Sequence, residues 1–118
     1  MPLDVQDIAE KIGGRLVAGS PGTRLVDRVY AGDRMSDVLD QAAPGTMLVS
    51  HLASHHLLRV AELMDVPCVC LAGNATPVAD LVRAAEQQGT ALMVSGLEVG
   101  KICERLRPFV FVTGPDRS

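Results

Sequence analysis

Three short strings constrain this chain more than anything else in it: "LVSH" at 48–51, "CLAG" at 70–73 and "MVSG" at 93–96. Each closes an aliphatic run with small or polar residues. Each is followed by a segment whose apolar residues recur at helical spacing. Strand, tight turn and helix thus repeat three times, with strands opening near residues 46, 68 and 91. Such alternation with short connections argues a parallel sheet with right-handed crossovers. The expected fold is α/β: a βα-repeat domain in two or three layers, with a mainly parallel sheet of about five strands and about five helices.

Composition supports this. Phe109, Phe111 and Tyr30 are the only aromatic residues, so the core is built from Val, Leu, Ile, Ala and Met. Parallel strands buried on both faces read as aliphatic runs. At 118 residues the chain is expected to be one domain, 1–118 with a core from about residue 3 to 113. A chain of that size buries about two-thirds of its unfolded surface, enough for a cooperative core.

The helices announce themselves by spacing. Val5, Ile8, Ala9 and Ile12 form one stripe, stopped by Gly13-Gly14. Met35, Val38, Leu39 and Ala42 form a second, and Leu57, Val60, Ala61 and Met64 a third. Thr76 is the expected cap of a fourth helix, with Pro77 at its first position and Gly89 just past its end. Ser95 and Glu98 have the spacing of a capping box for a fifth, whose inner face is Val99, Ile102, Cys103 and Leu106. Between them, "RLVDRVYAG" reads as one strand, with Val26, Arg28 and Tyr30 on one face and Leu25, Asp27, Val29 and Ala31 on the other.

Charge excludes some classes. The formal net charge is −3, and no basic stripe is interleaved with aromatics, so nucleic acid is not expected as a partner. No apolar run approaches the ~18 residues that span a bilayer, and the N-terminus lacks a basic region followed by an apolar one. A cytoplasmic protein without a membrane partner is expected. Cys68, Cys70 and Cys103 do not have zinc-site spacing and read as core residues. Neither a metal nor another cofactor is expected. Both "GxxxxGK[ST]" and "GxGxxG" are missing, and so is a G-x-S-x-G elbow. No catalytic residue is assigned.

Ligands of open parallel sheets gather outside the carboxyl ends of the strands. Those ends supply the candidate ligand-binding residues: Gly32, Asp33 and Ser36; Ser50 and His51; Gly73, Asn74 and Thr76; Ser95 and Gly96. Each set opens a helix, where backbone N–H groups favour anions. The same residue types also serve as caps and turns. His55 and His56 read as solvated residues of a helix's first turn.

The run "YAGDRMSDVLDQAAPGTMLVSHLASHHLLRVAELMDVPCVCLAGNATPVADLVRAAEQQGTALMVSG" resembles the DRTGG domain. The matching features are a strand ending in Gly-Asp, a helix of the form x-S-D-V-L, the "PGTMLVSH" strand and the "CLAGNATPVADLVRAAEQQGTALMVS" stretch. The resemblance spans residues 3 to about 107. The literal D-R-T-G-G string is absent; Asp27-Arg28 followed by Gly32 is the nearest equivalent, and no catalytic residue is carried over. Similar domains lie between the halves of phosphotransacetylases and beside CBS pairs in inorganic pyrophosphatases, and the N-terminal domain of HPr kinase/phosphorylase is related. The resemblance implies a non-catalytic regulatory or interaction domain. Such a domain would be homodimeric, would bind a small anionic ligand or nucleotide, and would serve a catalytic partner in trans. The alternative is a small phosphotransferase using Asp33, Asp37 and His51 at the strand ends, or a serine kinase-like protein, the label that the relation to HPr kinase carries.

Overall fold

The computed structural model describes residues 2–19, 22 and 24–114. In chain order the elements are β1 (Leu3–Asp4), α1 (Val5–Ile12), β2 (Gly14–Ala18), β3 (Leu25–Val26), β4 (Arg28–Ala31) and α2 (Met35–Gln41). Then follow β5 (Thr46–Ser50), α3 (His55–Leu63), β6 (Cys68–Leu71), α4 (Ala79–Gln88), β7 (Ala91–Ser95), α5 (Val99–Leu106) and β8 (Phe111–Thr113). Six strands form one sheet in the order β2-β7-β6-β5-β4-β8, and β1 and β3 form a separate antiparallel pair. Within the main sheet only β2 runs antiparallel to its neighbour. The expected α/β fold with a mainly parallel sheet is therefore observed, in its three-layer form.

Side-chain alternation along the strands divides the core in two. Val29, Met47, Cys68, Cys70 and Met93 point toward α1 and α5, where they meet Val5, Ile8, Ile102 and Leu106. Leu48, Val69, Leu71 and Leu92 point the other way, against Val38, Leu57, Leu81 and Ala85 of α2, α3 and α4. A strand buried on both faces has no polar side, which is why the aliphatic runs are continuous. The three cysteines are free and buried, all on the α1/α5 side. Burial pushes the Cys70 thiol up to about 12 and those of Cys68 and Cys103 upward as well. They are therefore protonated core residues.

The α2–α4 helices carry the chain from β4 through β5 and β6 to β7, one neighbour at a time. The connection through α5 then crosses the opposite face of the sheet and delivers β8 beside β4. This return places the start of α5 near the tips of β4 and β5.

Four local expectations are corrected. The "RLVDRVYAG" strand is broken at Asp27, because the Asp27 and Arg28 N–H groups both donate to the Gly45 carbonyl at 3.0 and 3.2 Å. The break shifts the phase, so Val26 and Val29 share the α1/α5 core rather than opposing one another. Leu39 is 51% exposed, because α2 is short and meets the sheet chiefly through Val38. The fourth helix is capped by the backbone of Val78, with no side-chain cap bond, so Thr76 and Pro77 lie before it. The Ser95–Glu98 capping box does not form: Ser95 is buried in β7, and Glu98 itself holds the cap position of α5. The αL residues at Gly13 and Gly89 end α1 and α4 as their sequences predict.

Candidate functional site

Because β7, β6, β5, β4 and β8 are parallel, their carboxyl ends share one edge of the sheet. Neighbouring strands β4 and β5 bring Gly32-Asp33 beside Ser50-His51, and the Gly32 N–H donates to the Val49 carbonyl at 3.0 Å. A Cβ at Gly32 would come within 2.7 Å of the Tyr30 hydroxyl, so only glycine lets the chain turn there over the tyrosine ring. The next residue is thereby placed across the tip of β5. One carboxylate oxygen of Asp33, Oδ1, accepts from the Ser50 hydroxyl at 2.6 Å and from the His51 backbone N–H at 3.0 Å. The Ser50 hydroxyl also accepts from the Leu52 N–H at 3.0 Å. With donor and acceptor both engaged and the residue 1% exposed, Ser50 locks the two tips together.

His51 continues the network. Its Nδ1 lies 3.6 Å from Asp33 Oδ2, and its Nε2 lies 3.1 Å from Glu98 Oε1. Glu98 comes from the cap of α5, so one imidazole joins three segments of the chain. Nothing in the local sequence around residue 51 pointed to Glu98. Its approach depends on the α5 crossover, which spacing does not encode. Gly73, at the tip of β6, completes the wall. Its φ is 70°, and a Cβ there would sit 3.2 Å from Glu98 Oε2 and 3.4 Å from His51 Cδ2. Asn74 follows at φ 63°.

The remaining candidates divide. The Gly73 and Asn74 N–H groups donate to the Leu97 and Ser95 carbonyls at 2.8 and 2.9 Å, a backbone lock between the β6 and β7 turns that also brings Gly96 near Asn74. Ser95 donates to the Ile12 carbonyl at 2.8 Å and accepts from the Leu97 N–H at 3.1 Å, so it fastens α1 to β7. Ser36 is exposed on α2. Thr76 lines a different hollow, with Arg15 and Asn74. Of the ten residues expected at the site, Gly32, Asp33 and His51 line a crevice at the β4 tip, with Ser50 and Gly73 as supports.

That crevice is a cavity of about 260 Å³ between the β4 tip and the start of α5. Ala31 and Val99 give it an apolar floor, Tyr30 an aromatic wall, and Asp33, Arg34, Asp37 and His51 a charged rim. Arg34 and Asp37 form only a loose pair at 3.9 Å, with the arginine side chain 82% exposed. Among the described residues no three His, Cys, Asp or Glu side chains cluster in a way that would hold a metal ion. No helix of the described residues is long and apolar enough to cross a membrane.

Two groups of the site titrate away from their ordinary values. For Asp33, partial burial opposes ionisation. The Ser50 hydroxyl, the His51 N–H and the His51 charge outweigh it and hold the carboxyl below its usual 3.8. The Glu98 hydrogen bond raises His51 above 6.5, assisted by Asp33 and opposed by partial burial. A raised histidine stabilises the fold fully below about 6.5, and that contribution fades as pH rises through the folded value. A lowered carboxyl stabilises it above 3.8, and that contribution is lost as pH falls through the folded value. Stability is expected to fall on both sides of this window. The alkaline loss stays on the scale of an exposed ion pair, below about 1 kcal/mol. Urea unfolding from about pH 3 to about pH 9 checks both limbs. An alkaline limb unchanged in His51→Gln would show that another group controls it.

The fold and its crevice define a three-layer α/β domain. No family model and no curated protein matches the chain. Among solved structures it is similar to the CBS and DRTGG domains of the regulatory region of Clostridium perfringens pyrophosphatase, a structure complexed with the activator diadenosine tetraphosphate. The TM-score is 0.73 at 8% identity, over 87% of this chain and 45% of that one. At that identity the likeness is one of fold, and this chain spans under half the length of the other.

Proposed function

We propose that this chain is a non-catalytic regulatory module that binds a small anionic ligand of nucleotide type and works as a homodimer in the cytoplasm, serving a catalytic partner in trans. The observation that carries the ligand is the crevice itself. Two strand tips and the start of a returning helix converge on one cavity with an apolar floor and a mixed charged rim. A nucleotide has parts to match each surface. The base rests on Ala31, Val99 and Tyr30, Asp37 accepts from sugar hydroxyls, and Arg34 faces the phosphates, while His51 stays held between Asp33 and Glu98. The rim carries as many carboxylates as cations, so bare phosphate is a poorer ligand than a nucleoside phosphate. The neighbouring fold was solved with a dinucleotide activator, which supports this reading without fixing the ligand. Ser50, engaged at both ends of its hydroxyl, offers no free nucleophile.

Isothermal titration against adenine and guanine nucleotides, dinucleoside polyphosphates and inorganic phosphate tests the reading. A nucleotide is expected to bind, with Arg34→Ala weakening it about tenfold, the cost of one charge-assisted hydrogen bond. No heat and no chemical-shift change with any nucleotide would overturn the ligand assignment.

A further inference from the structure

We propose that the homodimer forms through strand β8, paired antiparallel with its copy about a two-fold axis at Val112; this rests on the homodimeric reading above and gives it a surface. Among the described residues β8 is the last strand of the sheet, with β4 as its one neighbour there. The Phe111 N–H donates to the Asp27 carbonyl at 3.2 Å, so Phe111 and Thr113 direct their backbone groups to β4. Strand geometry then turns the N–H and C=O of Val112 outward. A two-fold at Val112 lets the two copies exchange both hydrogen bonds, the closed arrangement of an isologous contact.

Side chains extend the match beyond two hydrogen bonds. Both phenylalanines of a chain with three aromatic residues are exposed, Phe111 at 60% on β8 and Phe109 at 41% just before it. In the proposed register Phe111 faces the partner's Thr113 on the α2 side of the sheet. There the structure has a hollow of about 270 Å³, lined by Tyr30, Asp37, Gln41, Thr113 and Gly114. Each Phe111 ring therefore has a hollow waiting on the other copy. The ring also carries a cation: the Arg28 guanidinium lies 5.2 Å from its centre. Docking brings that arginine toward the acidic wall supplied by Asp37, so charge is complementary across the axis. Phe109 is covered by the Lys11 ammonium at 4.1 Å, so Phe111 is the interface ring, and at a protein interface aromatic residues beside arginine are the side chains that anchor binding.

Analytical ultracentrifugation over a concentration series tests this. Val112→Pro removes an N–H that the monomer does not use, and proline is tolerated at an edge strand. It is expected to weaken dimerisation at least about tenfold while leaving the circular dichroism of the monomer unchanged; a modest loss of monomer stability accompanies it, because Val112 packs against the α1/α5 core. Phe111→Ser is expected to do the same by emptying the hollow. A wild-type dimer with unchanged affinity in both variants overturns the β8 interface and leaves the homodimeric reading standing. A wild type that remains monomeric at high micromolar concentration overturns both.

Discussion

Ile102→Ala is expected to lower the free energy of unfolding by about 2–5 kcal/mol, the range for truncating a fully buried isoleucine. Ile102 lies in the middle of α5 with no exposed surface, within the layer shared with α1 and the sheet. Removing its outer carbons leaves a void that neither the strands nor α1 can close, since both are pinned elsewhere by hydrogen bonds. The effect reaches the crevice as well as the core, because α5 supplies Glu98 and Val99 to it. Urea denaturation measures the loss. Leu63→Ala, at a residue 72% exposed, is the control and should shift the midpoint little. Equal losses in the two variants would mean that α5 is not anchored as described.

Asp33→Ala is expected to cost about 1–3 kcal/mol, more than its exposed position suggests. The cost arises at its partners. The buried Ser50 hydroxyl and the His51 N–H both lose their acceptor, and the Ser50 group has no water to turn to. Asp33→Asn keeps an oxygen in place and should recover most of the loss, while removing the charge that helps hold a proton on His51. An NMR titration of the imidazole separates the two roles. The His51 pKa should fall in both variants, whereas stability should fall mainly in the alanine variant. Equal destabilisation by Asn and Ala would assign the effect to charge rather than to hydrogen bonding.

Much of the fold was legible in the sequence because its signals are periodic and local. The stripe Val5, Ile8, Ala9 and Ile12 is buried as its spacing predicts, and Gly13 and Gly89 end their helices. The rhyming strand ends at residues 50, 73 and 95 do line one edge of the sheet. What failed depended on events without a local pattern. The phase slip at Asp27 is set by a carbonyl eighteen residues away at Gly45. Ser95 looked like a cap because of Glu98 three residues later, yet its hydroxyl is taken by Ile12, an early residue on another element. Pro77 after Thr76 suggests a helix cap two residues before the true one at Val78. Within the site, the pairing of Gly32-Asp33 with Ser50-His51 followed once β4 and β5 were taken as neighbours. Glu98 did not, because a connection that crosses a whole sheet leaves no trace in spacing. The short β1–β3 ladder, of two residues each, was too small to stand out from its flanks.

The α5 crossover has a mechanical meaning. A single uninterrupted segment runs from Glu98, hydrogen-bonded to His51, to Phe111 on the outermost strand. Its helical part is a rigid rod with one end at the crevice and the other feeding the sheet border. A tug at Glu98 by an occupant of the crevice would have a direct covalent route to β8, without passing through the three strands between β7 and the border. On the proposed reading, occupancy of the crevice and pairing of the borders share one transmission element. Thermodynamic reciprocity then requires that any influence of the first equilibrium on the second be returned in equal measure.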